Sequence, residues 1–249
     1  MPRRDHGERS PPTTVDAMHL RGVAVVGIAA LGLVGGLVGC SSDGGAPPKE
    51  GTPAEQLATA RTNLEKSPAV TFTLDATGLP SKAIGVSAAK GTGMFSPPSF
   101  KGTLNATIAG VTGTVEVIAV EQDVYMKFFT PGYNKIDPAT YGAPNPAQLF
   151  NKETGITSLI GKTTSPAKGD KVRDGSEVLE SFTGKVPGDA VADLFVIGDR
   201  SGSFDVTYGV TSGTELRTVL LKGPFYAGST STYSLRLKSL AEPVAITRP

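Results

Sequence analysis

The side chains best suited to covalent or acid–base chemistry crowd one end of this chain. Both histidines, His6 and His19, and the single cysteine, Cys40, precede Ser41. From Ser41 onward there is no imidazole, no thiol and no tryptophan. A Ser-His-Asp or Cys-His site needs an imidazole or a thiolate. Zinc sites are built mostly from Cys and His, and histidine is the usual general base near neutral pH. Carboxylates, lysines and tyrosines are what remains. Ser87-Ala88-Ala89-Lys90 has the S-x-x-K spacing of penicillin-binding enzymes, but no K-T-G or S-D-N accompanies it and its setting reads as strand. Asp170, Asp174, Glu177 and Glu180 alternate with Lys168, Lys171 and Arg173, the mixture of a solvated turn and strand edge rather than an acid/base pair. No phosphate-cradling or dinucleotide fingerprint occurs. The expectation is a non-enzyme with no catalytic residue, no metal and no cofactor.

Cys40 is the one reactive side chain whose setting is informative. Arg3, Arg4, Arg9 and Arg21 precede an uncharged apolar run from Val23 to Val38, which ends in Leu37-Val38-Gly39-Cys40. A basic segment, a short apolar segment and a small-residue cut site read as an export signal. The run falls short of the roughly 20 apolar residues of a spanning helix. Apolar-small-Gly-Cys is the lipobox pattern, so residues 1–39 are expected to be removed, with Met18 an alternative start. Cys40 would then carry the lipid that holds the chain to the extracytoplasmic face of the cell membrane. Two or more acyl chains on one residue anchor stably, whereas one does so marginally.

Cleavage removes four of the 24 basic and three of the 23 acidic residues, leaving twenty of each. A balanced charge gives no electrostatic reason to bind nucleic acid. Residues 40–51 read as the lipidated cysteine and a flexible Ser/Gly/Pro tether, and 52–249 as a single domain.

The elements of that domain follow from local pattern. Thr52 caps a helix, with Pro53 in its first turn, Glu55 completing a capping box, and Leu57, Ala58, Ala60 and Leu64 as its apolar stripe; Ser67-Pro68 ends it. Val70, Phe72, Leu74 and Ala76 alternate with polar residues, as do Phe100, Gly102, Leu104, Ala106 and Ile108, and Phe204, Val206, Tyr208 and Val210. Tyr233, Leu235 and Leu237 do the same. A period of two with one apolar face predicts an antiparallel sheet wet on one side. Ile84–Ala89, Glu177–Val186 and Glu215–Lys222 add strands. Thr114–Val120 and Val124–Phe129 are apolar on both faces, so something must cover their outer side. Asn145-Pro146 caps a short helix through Phe150, Ile156–Ile160 suggests another, and Pro187–Phe195 a third. The count is eight or nine strands and three or four helices.

A long sheet with one apolar face must bury it, and these helices are too few and short to cover it all. If the sheet curls, an apolar hollow is left under them. Small inward residues (Ala76, Gly102, Ala106) beside Phe72, Phe100 and Leu104 either leave room in that hollow or pack the core.

The lipobox, Asn145-Pro146-Ala147-Gln148-Leu149-Phe150, its continuation Asn151-Lys152-Glu153-Thr154-Gly155-Ile156, the run Ser181-Phe182-Thr183-Gly184-Lys185-Val186 and the Pro243-Val244 tail resemble, in order and spacing, the mycobacterial LppX/LprAFG (LprG-like) lipoproteins. The resemblance spans Thr52 to Pro249. It implies an α+β fold: a curved antiparallel half-barrel sheet with a few helices over its concave, open side, as in LolA/LolB-like lipoprotein carriers. It also implies a hollow that takes acyl chains of lipids or glycolipids, movement of such lipids across the envelope, and for some members an efflux-type transporter partner. On this basis Leu104 and Ala106 head the expected cavity residues. Phe72, Leu74, Phe100, Ile108, Val206, Tyr208, Leu235 and Leu237 follow from alternation. Tyr133, Tyr141 and Phe150 are expected near the mouth. The competing expectation is a structural or interaction lipoprotein, an envelope scaffold or surface antigen, whose core is filled and which takes no ligand.

Overall fold

The computed structural model describes residues 51–108 and 110–249, Ile108 by its backbone alone. The leader, Cys40 and the tether up to residue 50 lie outside the described residues.

Helix α1 (Pro53–Glu65) begins for the local reason its sequence suggests. The Thr52 hydroxyl accepts from the Glu55 backbone N–H at 3.3 Å, and Glu55 Oε2 accepts from the Thr52 N–H at 2.7 Å. Two donors that a helix start leaves without partners are thereby satisfied. Leu57, Ala60 and Leu64 are buried, while Ala58 turns to solvent.

Strands follow: β1 (Ala69–Thr77), β2 (Gly85–Phe95), β3 (Pro98–Ile108), β4 (Val111–Val120), β5 (Asp123–Lys127) and β6 (Asn134–Ile136). Two short 3₁₀ turns, Pro138–Tyr141 and Pro146–Phe150, lead to α2 (Ser158–Lys162). Then come β7 (Thr164–Lys168), β8 (Val172–Asp174), β9 (Glu177–Pro187), α3 (Gly188–Phe195), β10 (Ser203–Val210), β11 (Leu216–Gly223) and β12 (Ser231–Leu240).

The strands form one open antiparallel sheet in the order β6-β5-β4-β3-β2-β1-β12-β11-β10-β9-β7, with β8 paired to β9 beside it. The expected alternation sets the register. Phe72 faces Leu237 and Gly91 across its two ladders, and Leu104 faces Ala89 and Val115. One apolar face is thus continuous from β5 to β9 and carries the main core. The sheet is curved. α3 packs on β9 and β10, and the turn Pro146–Phe150 on β2, β3 and β4. Yet Phe195 of α3 and Leu149 of that turn border the same hollow. A flat sheet would hold β3 and β10, five places apart, about 24 Å from each other.

β2 runs further than the sequence pattern suggests. Gly91 and Gly93 lie beyond the expected run Ile84–Ala89, and both are strand residues whose missing side chains make room for rings. A Cβ on Gly93 would stand 2.1 Å from the Phe150 ring, and one on Gly102 2.7 Å from that of Phe100. Gly102 therefore leaves no empty space on the inner face. β6, β7 and β8 are short strands that alternation does not reveal.

The second apolar face of β4 and β5 has a cover. Ile118 and Val120 form a small outer cluster with Ile246 and Val244 of the C-terminal tail, joined by Met94, Tyr125 and Tyr133. Arg248 fastens the tail, donating to Asp123 Oδ2 at 2.7 Å and Glu121 Oε2 at 3.1 Å.

Candidate functional site

The concave face is lined, near one end of the sheet, by an apolar hollow in two connected lobes. The first lies between Phe72, Leu74 and Phe100 on the strands and Leu149, Phe195 and Ile197 above them. The second runs along Ala106, Val115, Val117 and Met126 under Pro138 and Tyr141. Gly85, Val86, Leu104, Ala143, Pro144 and Pro146 border both lobes. The space between their walls is about 650 Å³ in the first lobe and 480 Å³ in the second, open solvent at their mouths included. Neither lobe has a charged side chain in its lining. The hollow is a narrow slot between the strands and the segments above them.

The strands explain its position. β1 ends and β2 begins at the same end of the sheet, as do the β3–β4 turn and the β11–β12 connection, because every neighbour is antiparallel. Gly85, Thr107, Tyr141 and Ile197 lie there, and this end is the mouth. At the opposite end Phe150 plugs the space. It stands 6.0 Å from Phe72, 5.6 Å from Phe95 and 6.3 Å from Phe100 by ring centroids, seated on Gly93. Asn145 starts the turn that delivers it, accepting from the Ala147 N–H at 2.9 Å, while its amide donates to Glu121 O at 2.9 Å.

Expected positions and observed ones part in an instructive way. Leu104 borders both lobes, Ala106 the second, and Phe72, Leu74 and Phe100 the first. The Ile108 backbone continues β3 to its end, with its side chain outside the described residues. Val206, Tyr208, Leu235 and Leu237 point inward but are buried in the packed core, bordering neither lobe. Tyr141 is at the mouth. Tyr133 is not: Asn134 pairs with inward-facing Met126, so alternation turns Tyr133 outward, where its hydroxyl donates to Glu116 Oε2 at 3.0 Å. Phe150 lies at the bottom rather than at the mouth. The lining that alternation missed, Val86, Ala143, Pro144, Leu149 and Ile197, comes mostly from connecting segments whose packing no periodicity encodes.

The buried tyrosines Tyr233 and Tyr208 are hydrogen-bonded. Tyr233 shares a 3.2 Å hydrogen bond with Tyr226 and donates to Val86 O at 3.4 Å. Burial above all, and then Tyr226, pushes its phenol far above the ordinary range. Tyr208 is likewise raised by burial against the opposing effect of its 2.8 Å bond to Thr163. Neither phenol ionises near neutral pH. Three of the carboxylates singled out in the sequence are paired at the surface: Glu180 with Lys171 and Lys168, Glu177 with Arg217, Asp174 with Arg236. Ser87 Oγ, exposed on β2, donates to Asn105 O at 3.2 Å.

Comparison with known proteins agrees with this architecture. The model of the LppX_LprAFG lipoprotein family matches residues 52–246. The fold is similar to LprF from Mycobacterium bovis, at 12% identity and a TM-score of 0.66, covering 79% of this chain and 96% of that one. It is also similar to lipoprotein LppX from Mycobacterium tuberculosis, at 16% identity and a TM-score of 0.59, covering 78% and 98%. No curated protein matches the chain in sequence.

Proposed function

We propose that this chain, which belongs to the LppX_LprAFG lipoprotein family, binds the acyl chains of a lipid or glycolipid in its apolar slot and carries them through the cell envelope. The observation that supports this reading most directly is an uncharged, two-lobed hollow that opens at one end of a curved sheet. Each methylene kept from water is worth about 0.8 kcal/mol, so exposing a chain of roughly 16 carbons costs on the order of 10 kcal/mol. A lipid crossing an aqueous space therefore needs an apolar sheath, and such a sheath needs no imidazole, thiol or metal.

In this reading residues 1–39 are the leader, Cys40 carries the membrane anchor on the extracytoplasmic face, 41–51 are the tether, and 52–249 the carrier domain. A transporter in the same membrane hands over or accepts the lipid. The two lobes offer places for two chains, one along Phe72, Leu74 and Phe100 and a second under Tyr141. The second reading, a scaffold lipoprotein with a filled core, draws on the close packing of Val206, Tyr208, Leu235 and Leu237.

Native mass spectrometry of the domain from Ser41 onward, purified from a host of the same envelope type, separates the two. Diacyl or triacyl species that co-purify and are lost in Leu104→Trp, which blocks the junction of both lobes, are expected. A folded protein that stays empty and ignores added glycolipid would favour the scaffold.

A further inference from the structure

Seven large hydrophobic side chains are exposed among the described residues, and four of them, Ile84, Val111, Phe129 and Val196, stand at the mouth end of the sheet. They sit on four separate segments: Ile84 just before β2, Val111 at the first position of β4, Phe129 after β5 and Val196 after α3. Phe129 is 87% exposed, and both Phe129 (φ 54°) and Val196 (φ 61°) hold left-handed backbone angles. A bulky or β-branched residue pays sterically for that conformation, so the fold presents these two side chains outward against both backbone preference and the hydrophobic effect. Their neighbours in sequence belong to the hollow: Ile84 precedes Gly85, and Val196 precedes Ile197. Phe128 turns inward over Gly113 while Phe129 leans on its ring at 4.0 Å.

We infer that these tips form a rim that enters the hydrocarbon boundary of a lipid bilayer and seats the mouth directly on the membrane. The inference rests on the acyl-binding reading of the same hollow and adds how the ligand enters. Isolated apolar tips on separate segments around an opening match the plane of a membrane, where each dips independently. A lipid leaving such a bilayer passes from hydrocarbon to slot without meeting water. Chain length allows the anchoring membrane to be the one contacted. Gly51 borders a groove with Val210, Thr211 and Thr214 at the end opposite the mouth. The ten residues between Cys40 and Gly51, with their flanking links, reach at most about 36 Å when extended. That is the length of an eleven-residue strand such as β3, at about 3.3 Å per residue, so the tethered domain can tip until its mouth meets the surface.

The chain has no tryptophan, which makes the test direct. Phe129→Trp in the full lipidated protein, reconstituted into phosphatidylcholine vesicles, supplies a single reporter. Ser212→Trp, on the β10–β11 turn at the far end, is its control, and Ile84→Trp repeats the test should Phe129→Trp fold poorly. Ligand content is read separately by native mass spectrometry. The rim reporters are expected to shift to the blue and lose most of their emission to brominated acyl chains, with Ser212→Trp unaffected. Rim reporters that emit as in water on vesicles overturn the inference; if lipid still co-purifies, the acyl slot stands and the rim belongs to a protein partner. Rim insertion with an empty slot upholds the membrane contact and removes the carrier reading instead.

Discussion

Phe150→Ala tests whether the aromatic plug and the slot are one continuous apolar space. Phe150 is 1% exposed and touches three other rings, with Gly93 beneath it. Removing a ring so enclosed loses its transfer energy and leaves a cavity, together about 3–5 kcal/mol. A domain of ordinary stability, about 5–15 kcal/mol, remains folded after such a loss but with little margin. The further consequence is specific to this architecture. Phe72 and Phe100 line the slot and also touch Phe150, so the vacated space would adjoin the slot's inner end, where the proposed ligand's tail would lie. If three or four more methylenes reach it, at about 0.8 kcal/mol each, affinity rises by roughly 50–200-fold. That gain is confined to chains longer than those the native slot holds. Urea denaturation measures the first quantity, and titration with fatty acids of increasing length the second. Two results refute the reasoning in different places. A stability loss below about 1 kcal/mol means the rings collapse into the gap. A full loss with unchanged chain-length preference means the plug closes off a separate core.

Two further expectations address the frame. Thr52→Ala removes the hydroxyl that caps α1 and should cost about 1 kcal/mol, within a range of about 0.5–2; urea denaturation reads it, and a Thr52→Ser variant should recover most of the loss. The C-terminal tail should loosen in acid. Asp123 is held below its ordinary value of 3.8 by Lys135 first and then Arg248. Its contribution is therefore complete above the ordinary value and lost as pH falls through the lowered one. Protection of the tail amides, measured relative to the intrinsic exchange rate at each pH, should fall on that descent, and Asp123→Asn should lower it at neutral pH; protection that ignores both would show that the apolar contacts of Val244 and Ile246 hold the tail.

Much of the sheet was legible because strand alternation and burial are the same fact seen twice. Val70 to Ala76, Phe204 to Val210 and Tyr233 to Leu237 each declare their inner face, and the observed ladders keep it. The doubly apolar run at Thr114–Val120 pointed to a cover, though not to Ile246 as the residue that supplies it. What stayed illegible has two physical causes. Gly91 and Gly93 of β2 fall beyond the expected run because a sequence gives no sign that Phe150 and Phe100, far along the chain or across the ladder, will occupy the missing side chains. The slot itself is a difference between packed and unpacked inner positions. Leu104 and Leu235 read identically, yet one borders open space and the other is sealed by helices and neighbouring strands. Alternation finds the inward face and stops there. The rim tips were hidden for the opposite reason, since single apolar residues in turns carry no period at all.

The sheet's two outermost strands, β6 and β7, do not pair with each other. In a closed barrel every increase in bore must break or slide a ladder of hydrogen bonds. Here no ladder joins the two edge strands, and α3 and the turn Pro146–Phe150 pack on the face between them. Spreading the edges costs side-chain contacts under those segments while leaving every β-ladder intact. An open sheet can therefore change its curvature at the cost of side-chain contacts alone, a freedom that a closed barrel lacks.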